Sequence, residues 1–107
     1  MPTPEHEQRE HPRVKVRVPI ELRVGDSESP LRGETADLSL GGCYVETLFP
    51  LAIGTTLELK LQVDGTLLVL AEVVTCDPQV GNGIQFTKML PEDIEELRAF
   101  LEAQETG

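Results

Sequence analysis

The stretch "VKVRVPIELRV", residues 14–24, alternates apolar and polar side chains without interruption. Because successive side chains of a β-strand point to opposite faces, this period of two predicts one long strand with one face buried and the other exposed. The polar cluster "GDSESP", residues 25–30, predicts a turn, and a short strand over residues 31–36 should complete a hairpin. The positions predicted to be buried are Val14, Val16, Val18, Ile20, Leu22 and Val24.

Four later segments are also typical of β-strands. "CYVET" at 43–47 and the alternating run at 57–63 each predict a strand. The Asp-Gly pair at 64–65 predicts a tight hairpin that joins the latter to the β-branched run at 67–76, which is expected to be more deeply buried. The short segment "IQF", residues 84–86, is expected to close a barrel, and the β portion should end near residue 87.

The last segment, "LPEDIEELRAFLEA" at 90–103, changes from a period of two to a helical period. Pro91 suits the first helical turn, and the acidic residues that follow favour the positive end of the helix dipole. The pattern predicts one amphipathic helix whose apolar side covers the end or side of the β core. The residues of that side are Ile94, Leu97, Phe100 and Leu101.

Length and composition set the organisation of the chain. With 107 residues, 39% hydrophobic and 26% charged, the sequence is typical of one globular domain. We expect a flexible N-terminal arm over residues 1–8, which are polar and interrupted by proline, followed by a single domain over residues 9–104. The strand pattern predicts a mainly β protein, with six or seven antiparallel strands in a compact barrel and a C-terminal helix.

Charge and hydropathy exclude several partners. The formal net charge of −10 argues against a nucleic-acid polymer or an anionic membrane surface as a partner. Residues 9–23 nevertheless carry a net charge of +3, a pattern that fits a small, doubly charged anion. The longest wholly apolar run, residues 67–71, is far too short to span a bilayer, and the first residues lack the apolar stretch of a signal peptide. The sequence therefore predicts a cytoplasmic protein without membrane insertion.

The residue types that bind metals or form disulfides are sparse. Cys43 and Cys76 lack a paired spacing and are expected to be two buried thiols. His6 and His11 lie in the polar N-terminal stretch without the spacing or cysteine partners of a metal site. We expect neither a metal nor a cofactor.

Two short motifs stand apart from the strand pattern. The first is "REHPR", residues 9–13, which places Arg9 and Arg13 four positions apart just before the first strand. The second is "DLSLGG", residues 37–42, in the predicted loop between two strands. Taken singly, the first is better explained as an exposed basic segment and the second as an ordinary turn. Their combination, in this order and separation, is more specific.

With these motifs the sequence resembles the PilZ domain, a bacterial receptor family for cyclic di-GMP. "REHPR" stands where the family has RxxxR, and "DLSLGG" stands where it has [DN]xSxxG. The resemblance runs from about Arg9 to Leu101 and implies a six-stranded antiparallel barrel with a C-terminal helix and no catalytic activity. It also implies that the nucleotide is held between the arginine segment and the barrel surface. Further matching segments are 54–61, "AEVV" at 71–74 and "GNGIQF" at 81–86.

The resemblance implies binding roles for individual residues. Arg9 and Arg13 would supply the principal contacts to guanine and phosphate, and Asp37, Ser39 and Gly42 would contribute from the barrel. Gly41, which precedes Gly42 in the same motif, would also belong to these barrel residues. In similar proteins the residue before the arginine pair influences whether one nucleotide or an intercalated pair is bound, and Gln8 leaves both possibilities open.

The chemistry of the ligand agrees with these residue types. An arginine can bind phosphate with two hydrogen bonds, bond to guanine O6 and N7, and stack on a purine ring. Asp37 can accept hydrogen bonds from the guanine N1 and N2 donors, and the hydroxyl of Ser39 can bond to phosphate or base. Gly41 and Gly42 would allow positive φ and a close approach of the ligand. Ordering of the arm on binding would change what a partner protein can contact.

Two other classes of function, a hydrolase and a protein-interaction module, are alternatives to a nucleotide receptor. A hydrolase would have to combine Ser39, Asp37 and His6 or His11, but the nucleophile lacks its usual sequence context and both histidines lie on the predicted arm. A protein-interaction module that does not bind nucleotide is the stronger alternative. In either receptor or module, a protein partner of unknown identity is expected, and the chain is expected to be a monomer or a homodimer.

Overall fold

The computed structural model describes residues 12–47 and 50–106, and it contains six β-strands and one α-helix in that part of the chain. The strands form a closed antiparallel barrel in the order β1-β2-β3-β6-β5-β4, so each strand is hydrogen-bonded on both sides. The prediction of a mainly β barrel with a C-terminal helix is confirmed, and the number of strands is six. The elements are β1 (Pro19–Val24), β2 (Leu31–Leu38), β3 (Gly42–Glu46), β4 (Thr56–Gln62), β5 (Thr66–Asp77), β6 (Gly81–Met89) and α1 (Pro91–Thr106).

The barrel interior is filled by the apolar residues of the alternating strands, as the period of two predicts. Polar residues of the same strands lie outside, so β4 alternates between exposed and buried positions along its whole length. The larger core residues that are almost fully buried are Val18, Ile20, Leu38, Val45, Leu59, Leu61, Leu67, Val73 and Leu97.

The predicted long first strand is regular only in its second half. Between residues 12 and 18 the chain is extended, but a single bridge, from Val14 to Leu38, is its only strand-type pairing. The reason is Thr35, whose hydroxyl accepts from the Val18 amide at 2.9 Å and donates to the Val16 carbonyl at 2.6 Å. A side chain therefore takes the place of part of the backbone ladder, although the Thr35 amide still donates to the Val18 carbonyl at 3.0 Å. The predicted alternation of burial continues through this segment.

Three other strand predictions need correction. Strand β2 extends to Leu38 instead of ending at residue 36, and β6 has nine residues where three were predicted. Strand β5 was expected to be deeply buried, yet it alternates, with Leu68 and Leu70 exposed on the outer face. The apolar run was ambiguous because a half-buried strand and a buried strand can both be rich in leucine and valine.

Helix α1 begins at Pro91, as predicted, and packs its apolar side on the barrel. Leu97 and Leu101 are buried in the same core as the strands. Glu96 also accepts a hydrogen bond from the amide of Gly65, in the turn between β4 and β5, at 2.8 Å. Among the described residues, no helix is both long and apolar enough to cross a membrane.

Candidate functional site

A β-bulge in β2 turns Asp37 toward the outside of the barrel. The register with β3 shifts between Thr35, which pairs with Val45, and Asp37, which pairs with Tyr44. Thr35 points inward and is fully buried, so strict alternation would also direct Asp37 inward. The extra residue reverses this, because a bulge adds one position to one strand only. As a result Asp37 is partly exposed and the next residue enters the core. Asp37 was predicted to lie in a loop and instead lies on the strand.

The bridge between the entry segment, residues 12–18, and β2 brings Arg13 next to Asp37. The amide of Val14 donates to the carbonyl of Leu38, and the amide of Leu38 donates back to Val14, both at 2.9 Å. This fixed pairing places the guanidinium Nη1 of Arg13 at 2.9 Å from the carboxylate Oδ1 of Asp37. The two side chains remain 44% and 26% exposed. A cation and an anion from the two sequence motifs thus meet on an accessible surface.

Ser39 holds the short loop between β2 and β3 together. Its hydroxyl oxygen accepts from the amides of Gly41 at 3.1 Å and Gly42 at 3.2 Å. Its own amide donates to the carbonyl of Gly42 at 2.8 Å, and only 6% of the residue is exposed. The hydroxyl therefore serves the loop, and the structure does not place it as a nucleophile or as a free donor on the surface.

The adjacent glycines have a different role from the predicted one. Among the described residues the glycines with positive φ are Gly25 and Gly54, so the expectation of positive φ at Gly41 and Gly42 is wrong. A Cβ atom at Gly42 would overlap the carbonyl oxygen of Ile84 in β6. Gly42 thus permits the close approach of a neighbouring strand, which the sequence alone could not distinguish from the approach of a ligand.

Tyr44 belongs to this surface and was missed by the sequence analysis. It is the cross-strand partner of Asp37, so both side chains lie on the same outer face. The phenol donates to Asp77 at 2.8 Å, and its ring lies so close to Gly81 that a Cβ atom there would contact it at 2.7 Å. Only the register of β2 against β3, which depends on the bulge, could have revealed this neighbour.

A second arginine extends the polar surface along β2 and β3. Arg17 donates to Glu46 at 2.9 Å and lies 3.8 Å from Glu34, which is opposite Glu46 in the ladder. From its place in the alternating pattern, Arg17 was expected to lie on the exposed face of the first strand. Its position four residues after Arg13 on an alternating segment was the available signal, because residues separated by an even number share a face.

The thiol of Cys43 lies just beneath this surface. The pKa of Cys43 is raised to about 12: burial is the largest cause, the charge of Asp37 adds to it, and the charge of Arg13 partly offsets both. Such a thiol stays protonated and inert at neutral pH. Its predicted burial is confirmed, whereas Cys76 is only partly buried near the end of β5, so that prediction is wrong for the second cysteine.

The remaining predicted site residues lie outside the described part of the chain. Gln8 and Arg9 precede residue 12, as do His6, His11 and the predicted arm at 1–8. Within the described ranges, no cluster of histidine, cysteine or acidic side chains is arranged to hold a metal ion. The site that can be described therefore consists of Arg13, Asp37 and Tyr44, supported by the hydrogen-bonded loop of Ser39, Gly41 and Gly42.

Fold and candidate site together define a small closed antiparallel barrel with an accessible polar surface where the entry segment meets β2. The chain belongs to the PilZ domain family, whose model matches residues 7–103. No curated protein matches the sequence.

Several solved structures share the fold. The PilZ domain of CeSA from a cellulose-synthesizing bacterium has a TM-score of 0.67 at 24% identity, over 86% of this chain and 97% of that one. The PilZ domain of YcgR from Escherichia coli, solved with c-di-GMP, has a TM-score of 0.76 at 19% identity, over 92% of both chains. The inhibitor of motility MotI/DgrA of Bacillus subtilis has a TM-score of 0.78 at 17% identity, over 99% of this chain and 57% of that one. This chain therefore spans little more than half the length of the Bacillus subtilis protein.

Proposed function

We propose that this PilZ domain is a non-catalytic receptor for cyclic di-GMP, and that the nucleotide binds on the outer face formed by the entry segment, β2 and β3. The observation that carries the proposal is the Arg13–Asp37 pair, in which residues 24 positions apart meet at 2.9 Å on an accessible surface. The solved PilZ domain of Escherichia coli YcgR, described with c-di-GMP, supports the same ligand class.

The two side chains are complementary to different edges of guanine. A carboxylate is an acceptor only, so Asp37 suits the N1 and N2 donors of the base. A guanidinium is a donor only, so Arg13 suits the O6 and N7 acceptors or a phosphate oxygen. Because Arg13 uses one donor on Asp37, the rest of its guanidinium remains available to a ligand. The flat ring of Tyr44 beside Asp37 adds apolar surface against which a purine can pack.

The proposal assigns the rest of the site to residues that precede the described part of the chain. Arg9 supplies the second guanidinium, which binds phosphate or stacks on a base. Gln8, next to it, bears on whether one nucleotide or an intercalated pair is bound. Ser39, Gly41 and Gly42 act mainly by fixing the loop beside Asp37, in keeping with their internal hydrogen bonds.

The signal is proposed to arise from ordering of the N-terminal residues over the barrel, which changes the surface offered to a partner or to a second copy. Hydrogen exchange measures this directly. Amides of residues 1–13 should exchange more slowly at saturating cyclic di-GMP, while those of the β4–β5 hairpin should not change. Equal exchange of residues 1–13 with and without nucleotide would contradict this signalling step but not the binding itself.

Calorimetric titration with cyclic di-GMP tests the binding. Wild-type protein should bind with a ratio of one or two nucleotides per chain, and GTP should bind much more weakly because it offers one guanine and lacks the cyclic backbone. Arg13→Ala should weaken binding about 5- to 150-fold, since a well-placed arginine contact to guanine is worth about 1–3 kcal/mol.

Arg32→Ala is the matched control for this titration. Arg32 lies at the opposite end of β2 from Asp37, is highly exposed, and is 3.7 Å from Glu21. Its removal deletes one positive charge without touching the proposed site, so affinity should stay within about twofold of wild type. If the wild-type protein does not bind cyclic di-GMP, the alternative of a protein-interaction module is favoured. If Arg13→Ala and Arg32→Ala weaken binding equally, the nucleotide is attracted only by the net charge of the protein.

A further inference from the structure

The outer face of the barrel remote from the Arg13–Asp37 pair carries an apolar groove of about 680 Å³. It runs across β1, β4, β5 and β6, and the residues that give it an apolar floor are Leu68, Leu70, Met89 and Leu90. Leu68 is 58% and Leu70 is 46% exposed, although both are large aliphatic residues. Single exposed leucines are ordinary on a protein surface, but a continuous apolar strip with polar borders is typical of an interaction site.

The register of the strands shows how the border of the groove is charged. Leu70 of β5 is opposite Glu58 of β4 on one side and Lys88 of β6 on the other. Leu68 is opposite Lys60, which is in turn opposite Glu21 of β1. An apolar strip thus lies between charged positions on both sides.

Positive charge predominates around this strip, in contrast to the chain as a whole. Among the described residues, the basic ones that line the groove are Arg23, Lys60 and Lys88, and the acidic ones are Glu21 and Glu58. Glu21 is also 3.7 Å from Arg32, which offsets its charge. The groove therefore has a net charge of +1 or more on a protein whose formal net charge is −10. An occupant with an apolar side and acidic borders complements it.

We propose that this groove docks an amphipathic α-helix of another protein, with an apolar stripe that contacts Leu68, Leu70 and Met89 and acidic residues that face Lys60 and Lys88. A helix is about 10 Å across with side chains and presents apolar residues at i, i+3, i+4 and i+7 along one side, which suits an open groove. Methionine in such a floor adapts to the shape of the incoming side chains.

Other modes of occupation fit the geometry less well. All six strands are paired on both sides in the closed barrel, so an added strand has no free edge to pair with. None of the described residues that line the groove is aromatic, and a polyproline helix needs aromatic residues in its groove. In a symmetric dimer the groove of one copy would face the groove of the other, and two concave surfaces do not fill each other.

Titration with labelled helical peptides tests this proposal. A synthetic peptide of about five turns, with leucine at the stripe positions and glutamate on both borders, should bind wild-type protein in a fluorescence anisotropy measurement. The same peptide with lysine borders should bind at least about tenfold more weakly. Leu70→Ser and Lys88→Glu should each weaken binding of the acidic peptide at least tenfold, and Lys88→Glu should improve binding of the basic one.

Two control variants change the same kinds of residue elsewhere. Val80→Ser removes an exposed aliphatic residue that does not line the groove, and Lys15→Glu reverses an exposed cation on the entry segment. Both should leave peptide affinity within about twofold. All four substituted positions are on the surface or at its edge, and circular dichroism with a thermal scan verifies that each variant folds. Leu70→Ser should bind cyclic di-GMP with wild-type affinity, because Leu70 is remote from the Arg13–Asp37 pair. A loss of peptide binding in this variant then concerns the groove and not the nucleotide site.

Three results would overturn the proposal. The first is equal affinity for acidic and basic peptides, or no binding of the acidic peptide by wild type. The second is unchanged affinity in Leu70→Ser and Lys88→Glu. The third is a wild-type dimer in sedimentation velocity that Leu70→Ser converts to a monomer, because a second copy would then occupy the groove.

Discussion

The β2–β3 loop, residues 39–41, and the entry segment, residues 12–18, lie side by side at the candidate site, yet their backbones are held in different ways. The loop is fixed by the hydroxyl of Ser39 and by the close packing of Gly42 on β6. The entry segment is held by the Val14–Leu38 bridge, by the hydroxyl of Thr35 and by the hydrogen bond from the Thr35 amide to the Val18 carbonyl at 3.0 Å. Asp37 therefore stands on a fixed frame, whereas Arg13 belongs to a segment with few backbone bonds. One half of the site is preorganised and the other half is free to adjust to a ligand.

The strongest test of the fixed half is Gly42→Ala. The added methyl group would overlap the backbone carbonyl of Ile84, which cannot move without separating β3 from β6. We expect a loss of about 3 kcal/mol or more of stability, or a fall of more than about 12 °C in Tm. Thermal unfolding followed by circular dichroism measures this.

Gly33→Ala is the matched control, because Gly33 also lies in a strand of the barrel. Its added Cβ would meet Val45 at 3.5 Å, an ordinary contact distance, so the loss should stay below about 1 kcal/mol. A similar Tm for the two variants would mean that the packing at Gly42 does not constrain the loop.

Asp37→Asn should have the next largest effect, on nucleotide affinity. The substitution keeps the shape of the side chain but turns an acceptor-only group into one that also presents donors to the guanine N1 and N2 donors. We expect cyclic di-GMP to bind about 10- to 100-fold more weakly in a calorimetric titration. Asp26→Asn, in the exposed turn after β1, removes the same charge elsewhere and should leave the affinity unchanged.

Ser39→Ala distinguishes a structural hydroxyl from a ligand contact. Loss of its hydroxyl leaves the amides of Gly41 and Gly42 without that acceptor, so stability should fall by about 1–2 kcal/mol. Affinity should fall by less than in Asp37→Asn, because the hydroxyl acts only through the loop. Ser27→Ala, which removes two 3.3 Å hydrogen bonds to the backbone of Ser29 in an exposed turn, should change neither quantity. Unchanged stability with a tenfold loss of affinity in Ser39→Ala would instead favour direct contact with the nucleotide.

The sequence predicted the barrel because alternation is a local property of each strand. It did not predict the bulge before Asp37, since one extra residue in a strand leaves the pattern of apolar residues almost intact. For the same reason Tyr44 was missed as the neighbour of Asp37, because that contact depends on the register of two strands. The exposure of Leu68 and Leu70 could not be predicted either, since composition does not determine which side of a leucine-rich strand faces solvent. The residues of the two motifs could thus be identified from the sequence. The residues that they contact could be identified only from the fold.

The smallest expected effect concerns the Arg13–Asp37 ion pair itself. Both side chains are partly exposed, so solvent screens their attraction and a double-mutant cycle on stability should give a coupling below about 1 kcal/mol. The variants are Arg13→Ala, Asp37→Ala and the double variant, measured by urea unfolding. A weak pair suits the proposed receptor, because Arg13 can then adjust toward the nucleotide at little cost while Asp37 stays in place. A coupling of several kcal/mol would mean that the pair locks the surface, and nucleotide binding would then have to break it.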